Sequence, residues 1–282
     1  MKIVYIATPS FGAIILEKLI KAGHKPFLVI TETDKPIGRK QTIVPPPVKV
    51  LAEEYHIPVA QPEKIGLWQE ELKKLEPDLG IIASYGQILP KEILEIPKYG
   101  FINVHPSLLP KYRGSAPIQY AILNGDDKTG VTIMRVAEKL DAGPILVQEE
   151  IAINQNETFL SLHDKLADLG AKLLIEALPK LIAGRLAPQD QDETKATFTK
   201  RLKIKDGLID LKEPAEISVR KIRALNPEPG TYSIYNSKRL KILEAKVEQG
   251  RLIINQVQLE GKKPMAFEDF LRGHKDFYVK PQ

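Results

Sequence analysis

Cysteine is absent from the 282 residues. That excludes a disulfide framework, thiolate nucleophiles and cysteine-based zinc sites. No apolar stretch approaches the roughly 18–20 residues a membrane-spanning helix needs. The opening run MKIVYIATPS is too short in its apolar part for a secretion signal, so a soluble, cytoplasmic protein without a membrane partner is expected. The turn at residues 7–12 holds a single glycine and no G-x-G-x-x-G, which disfavours NAD and FAD. Neither a phosphate-binding P-loop nor a G-x-S-x-G elbow occurs, so nucleotide hydrolysis and serine hydrolysis also drop out. His24, His56, His105, His163 and His274 show no metal-ligand spacing, and no metal is expected.

The chain that remains is long enough for two domains. Its charge is uneven. Residues 1–197 carry 23 Lys and Arg against 25 Asp and Glu, and residues 198–282 carry 18 against 11. The whole net excess of +5 therefore comes from the C-terminal part. Such asymmetry fits a module facing a polyanion, and equally a solvated basic surface. KIVYIA (residues 2–7) reads as a buried parallel strand. Phe11, Ile14, Ile15, Leu19 and Ile20 recur at helical spacing, and KPFLVIT (residues 25–31) follows as a strand. This β-α-β opening predicts a Rossmann-like, mostly parallel α/β sheet. Residues 32–47 form a long polar connection with Lys35, Arg39 and Lys40 near Gly38, either functional or a solvated loop. Trp68 is expected to pack against the sheet from a helix at 67–75, before a buried strand at 78–84.

The chemistry concentrates in residues 101–117, FINVHPSLLPKYRGSAP. A short apolar run leads to Asn103, Val104 and His105, and strand alternation puts Asn103 and His105 on one face. Pro106 and Pro110 frame a rigid loop directly after them. In open α/β sheets ligands bind beyond the carboxyl ends of the strands, which is where this places the pair. Asn can hold a developing oxyanion, and His can move a proton near neutral pH. The carboxylate to accompany them is Asp141 in LDAGPIL, after a strand-like run at 131–136. An amide, an imidazole and a carboxylate without a Ser or Cys nucleophile point to direct acyl transfer. Taken alone, an Asn-x-His strand end and an Asp-Ala-Gly turn also occur as structural polar groups. Arg113 could bind an anion or pair within the fold.

The run INVHPSLLPKYRGSAPIQ, followed by NGD, TGVTIM and LDAGPIL, resembles the folate-dependent formyltransferases. The resemblance extends from Lys2 to about Tyr278 and is densest between Ile81 and Leu146. It implies that Asn103, His105 and Asp141 are the catalytic trio and that Ser107, Leu108, Leu109 and Pro110 contact tetrahydrofolate. It also implies that Tyr85, Gly86 and Gln87 wall the pterin pocket. The segment QDETKATFTKRL favours the members acting on tRNA. The implied reaction moves the formyl group of 10-formyltetrahydrofolate, without a metal, to the amino group of methionine on initiator tRNA. Arg39, Lys40 and Lys35 would reach the tRNA, and the enzyme would act as a monomer. The alternatives are a small amine acceptor such as a nucleotide sugar, or a non-catalytic RNA-binding module. The organisation implied is a catalytic domain at 1–183, a linker at 184–205 and an OB-like C-terminal domain at 206–282. Short strand patterns at 231–235, 240–246 and 251–257 with turns between them suggest that small barrel, in a shortened form. Two departures from the family are Gln41 and Thr42, where a second glycine and more lysine are usual, and Asn226-Pro227-Glu228-Pro229, where a tryptophan is common.

Overall fold

The computed structural model describes residues 1–37, 41–275 and 277. They form two compact units. One gathers Met1–Gly114, Thr129–Ile151 and His163–Phe198, and the other Ser115–Lys128, Ala152–Leu162 and the chain from Thr199 onward.

The first unit is built on a sheet. Its strands in chain order are β1 (Ile3–Ala7), β2 (Leu28–Ile30), β3 (Lys35–Ile37), β4 (Thr42–Val44), β5 (Val59–Ala60), β6 (Leu79–Ala83), β7 (Phe101–His105), β8 (Arg113–Gly114), β9 (Lys128–Arg135) and β10 (Ile145–Ala152). Seven of them bond in the order β10-β9-β7-β6-β1-β2-β5. Pairing is parallel from β5 to β7 and antiparallel between β7 and β9. Every residue of β1 and β6 is buried, as expected of parallel strands covered on both faces.

Helix α1 (Ser10–Lys21) presents Phe11, Gly12, Ile15, Leu16 and Leu19 to this sheet. Gly12 permits the approach, because a Cβ there would lie 2.4 Å from Ala7 Cβ and 2.7 Å from Ala83 O. Helices α2 (Pro47–Glu54), α3 (Gln69–Leu75) and α4 (Lys91–Leu94) follow; α5 (Pro117–Asn124) belongs to the second unit, and most of α6 (Phe159–Ile182) to the first. Gly170 of α6 passes so close to the sheet that an added Cβ would be 2.7 Å from Val104. Helix α6 thus covers the Val104 face of β7. On the opposite face, Phe101 joins Val4, Ile6, Ile82, Ile65, Leu72 and Ile93 in one core, with Trp68 partly buried against it. Asn103 and His105 share that face and continue it toward the carboxyl end of β7.

The connection at 32–47 holds regular structure at residues 35–37 and 42–44. β3 and β4 pair as an antiparallel hairpin, Lys35 opposite Val44 and Ile37 opposite Thr42. Three-residue strands are too short to show a periodic pattern, which is why the sequence reads as loop. Lys35 lies at its base, while Arg39 and Lys40 fall outside the described residues.

In the second unit, α7 (Ala215–Leu225) packs Ile222 against Leu240, Ile242, Ile254, Val257 and Phe270. After β11 (Phe198–Thr199), the strands β12 (Tyr232–Tyr235), β13 (Lys238–Glu248), β14 (Arg251–Leu259) and β15 (Met265–Ala266) form an antiparallel sheet in chain order, followed by α8 (Phe267–Gly273). β12 and β15 are its edges, so the sheet is an open meander among the described residues. The long β13–β14 hairpin turns through Gln249 and Gly250, with φ of 50° and 74°, the left-handed pair that a two-residue hairpin turn requires. Asn226 staples the proline-rich turn to β13. Its Nδ2 donates to Ile242 O and Leu243 O, and its Oδ1 accepts from Thr231 N. The cations of α7 are tied down within the unit, Arg220 to Asn124 O, Lys221 to Glu213 and Arg223 to Gln155 O and Glu157 O. Lys200, Arg201, Lys203 and Lys205 are exposed.

Candidate active site

Strand β7 delivers Asn103 and His105 two residues apart on one face, and the loop between β9 and β10 brings Asp141 over them. Asp141 Oδ1 lies 3.5 Å from Asn103 Nδ2, and Oδ2 lies 3.8 Å from His105 Nδ1. Both distances are longer than strong hydrogen bonds, as catalytic contacts often are before substrate binds. The His105 side chain is only 5 % exposed and that of Asp141 11 %. The three groups, from segments 38 residues apart, therefore converge in a nearly dry site.

Their surroundings decide how each is used. His105 Nε2 lies 3.0 Å from the Tyr112 carbonyl. A carbonyl can only accept, so Nε2 carries the hydrogen and Nδ1, facing Asp141, is the ring atom free to take or release a proton. Asp141 Oδ2 accepts from the Gly114 N–H at 2.8 Å. The Asp141 backbone is left-handed, with φ of 48°, a conformation that asparagine and aspartate tolerate best among residues with side chains.

The loop Ser107, Leu108, Leu109, Pro110 starts where β7 ends. Ser107 is fully buried, and its Oγ donates to Lys111 O at 2.6 Å. Thr132 of β9 is the centre of this loop's anchorage. Its hydroxyl donates to Ser107 O at 2.7 Å and accepts from Leu109 N at 3.2 Å and Gln148 Nε2 at 2.7 Å. Gln148 also donates to Leu109 O at 3.0 Å. One hydroxyl with one donor and two acceptor sites is thereby saturated.

The Tyr85, Gly86, Gln87 loop follows β6, the parallel neighbour of β7. Tyr85 is half-buried. Burial, with the Glu32 carboxylate second, pushes its phenol up to about 12. Gly86 sits beside Glu32, whose Oε1 would be 2.3 Å from an added Cβ. Gln87 is engaged in the fold, its Oε1 accepting from Ile65 N at 2.8 Å and its Nε2 donating to Glu63 O at 3.2 Å. Lys35 pairs with Glu32 at 2.6 Å, at the base of the hairpin.

Arg113 is entirely buried and turned inward. It donates to Gln191 Oε1 from Nε at 3.0 Å and Nη2 at 2.8 Å, and pairs with Glu193 at 2.7 Å. His163 is structural, its ring between Ser10 Oγ and Asp164 and edge-on to Phe11. Sequence reasoning missed Thr132, Gln148, Gln191 and the backbone groups of Tyr112 and Gly114. A threonine inside the apolar run of β9 was the one visible signal. No group of three or more His, Asp or Glu suited to a metal occurs among the described residues.

Residues 1–178 match the family described as Formyl transferase, and residues 201–251 match its C-terminal domain. A methionyl-tRNA formyltransferase of Citrifermentans bemidjiense is 42 % identical over 299 residues, covering 98 % of this chain and 94 % of its own. That of Bacillus subtilis is 44 % identical over 300 residues, with 96 % and 94 % covered. Among solved structures, a methionyl-tRNA formyltransferase from Clostridium thermocellum superposes with a TM-score of 0.62 at 21 % identity, covering 92 % of this chain and 98 % of that one. A sugar 3N-formyltransferase solved in the presence of dTDP and 5-N-formyl-THF gives 0.65 at 20 % identity, with 93 % and 99 % covered. At these identities the two structures attest the fold.

Proposed function

The chain belongs to the formyltransferase family, and from that premise we propose that it moves the formyl group of 10-formyltetrahydrofolate to the methionine amino group of initiator methionyl-tRNA. The observation that carries this reading is the carboxylate of Asp141 facing both Asn103 and His105, in a chain whose relatives at 42–45 % identity over nearly their full length are methionyl-tRNA formyltransferases. All three groups come from one chain, which supports action as a monomer. No helix of the described residues is long and apolar enough to cross a membrane. A cytoplasmic site of action accords with the tRNA acceptor.

The amine attacks the formyl carbon, a C–N bond forms, and the carbonyl oxygen becomes an oxyanion. Asn103 Nδ2 donates to that oxygen. As the bond from carbon to the donor nitrogen breaks, one proton leaves the attacking amine and one reaches the departing nitrogen. His105 Nδ1 handles these protons, and Asp141 compensates the positive charge the ring gains in doing so. Asp141, pinned by Gly114, keeps the ring and the Asn103 amide in register. The loops at Tyr85–Gln87 and Ser107–Pro110 lie beyond the carboxyl ends of adjacent parallel strands and border the trio. That supports them as the folate-binding elements, Leu108 and Pro110 being half-buried. Lys35, with Arg39 and Lys40, is assigned to the tRNA on the strength of the family resemblance.

Formyl transfer measured with charged initiator tRNA and the folate donor, beside the same assay with an amino sugar nucleotide, tests the reading. Turnover on the tRNA alone is expected. Turnover on the sugar alone would assign the chain to the small-amine branch, and none on either would leave an RNA-binding module.

A further inference from the structure

The polar stretch at 189–197 does something a connecting segment has no need to do. It wraps the loop that carries Asp141. Gln191 Nε2 donates to Asp141 O and to Gly143 O, both at 2.8 Å. Its Oε1 accepts twice from buried Arg113. Both amide hydrogens and the oxygen's acceptor capacity are thus used. Two residues along, Glu193 bridges Arg113 and Lys139, and Lys139 lies two residues before Asp141. The same loop is therefore held on both sides of its carboxylate by one short segment.

A separate bond pair already attaches this segment to the sheet, between Gln189 and Ile145. Gln191 is not needed for attachment. Its donors meet the carbonyls that flank the left-handed turn at Asp141, the backbone conformation that sets where the carboxylate points. We propose that Gln191 is a positioning residue of the reaction. It locks the Asp141 backbone so that the carboxylate reaches Asn103 and His105, and Arg113, Glu193 and Lys139 support it. The inference rests on the reading of Asn103, His105 and Asp141 as the catalytic trio. A displacement of about 1 Å in such a group can cost on the order of 100-fold in rate.

Steady-state kinetics of formyl transfer on the full-length protein tests it with three variants. Gln191→Glu keeps an acceptor for Arg113 and removes both donors to the loop. Its kcat is expected to fall about 10- to 100-fold, with KM for tRNA and for the folate donor within about threefold and the melting temperature lowered by a few degrees, because Asp141 O and Gly143 O lose their donors. Lys139→Met alters a side chain that is 62 % exposed, so it folds, and a fall in kcat of about threefold is expected. Asp141→Asn is expected to lose most activity. Wild-type kcat in Gln191→Glu and Lys139→Met beside an inactive Asp141→Asn overturns the positioning role alone. A rise confined to KM overturns it too, since that marks a substrate contact. An Asp141→Asn protein with wild-type rate removes the trio itself. Should Gln191→Glu not accumulate in folded form, kcat of Lys139→Met decides.

Discussion

The backbone N–H of Gly114 holds Asp141 Oδ2 at 2.8 Å, and that same oxygen faces His105 Nδ1 at 3.8 Å. One oxygen is anchored by a rigid donor and turned to the imidazole, which leaves Oδ1 for Asn103. Asn103→Ala and His105→Ala each remove one member while keeping the anchor. Each is expected to lower kcat by about 10²–10³, read by single-turnover formyl transfer; unfolding of the same samples should show little change for Asn103→Ala and a loss of about 1–3 kcal/mol for His105→Ala, which removes the ring donor from Tyr112 O.

Thr132→Val deletes one hydroxyl and keeps the branched shape. Ser107 O loses a donor, and Leu109 N and Gln148 lose an acceptor. A stability loss of about 1–3 kcal/mol is expected for buried groups left unpaired. KM for the folate donor should rise more than that for tRNA. Urea unfolding and paired titrations of the two substrates check it, and equal changes in both KM values would count against the loop's assignment to folate.

Gly143→Ala places a Cβ 1.9 Å from Arg135 O, a backbone atom that cannot swing aside. The loop has to move, and Asp141 moves with it. A destabilisation of about 1–3 kcal/mol is expected, as for other overpacked sites, together with loss of activity. Gly273→Ala meets nothing within 4 Å and serves as the control, expected within about 0.5 kcal/mol of wild type.

Glu193 carries a pH signature. The Arg113 hydrogen bond, then that of Lys139, lowers its carboxyl from 4.5 to about 2. A carboxyl depressed on folding adds stability above its unfolded value, and the gain fades as pH falls toward the folded one. The stability difference between wild type and Glu193→Gln should therefore be full at pH 6–7 and shrink between roughly pH 4.5 and 2. The side chain is 54 % exposed, so salt screens the effect. Melts across that range in low and high salt check both statements.

Lys49 reaches both oxygens of Asp34 at 3.0 and 2.9 Å and Gln61 Oε1 at 2.9 Å, while Gln61 donates to Glu32 O at 2.7 Å. Hydrogen bonds from Gln61 and then Lys49 hold the Asp34 carboxyl below its usual range. This cluster fixes the stem of the β3–β4 hairpin. Lys49→Met is expected to raise KM for tRNA several-fold and to leave KM for the folate donor unchanged. Equal KM values for both substrates in mutant and wild type would detach the hairpin from tRNA binding.

Much of the first unit can be read from local pattern. The strands Ile3–Ala7 and Leu79–Ala83 lie within the runs expected at 2–7 and 78–84, and the helical spacing after residue 10 lies in Ser10–Lys21. Buried parallel strands and amphipathic helices write their periods into consecutive residues, so no partner has to be known. The hairpin of Lys35–Ile37 and Thr42–Val44 escaped because pairing, not periodicity, defines strands of three residues.

For the site, the chain by itself determined that Asn103 and His105 share a strand face and end at a proline-framed turn, since alternation and ring closure are local. It also marked Asp141 as the candidate carboxylate. Only the tertiary structure decided what each of them meets: Gly114 on the carboxylate, Tyr112 O on the imidazole, Gln191 on the loop backbone, Thr132 beneath Ser107. Those partners are backbone groups and single polar side chains up to 50 residues away. A hydrogen bond is specified by position and direction in space, and neither is encoded by the identity of the residues between.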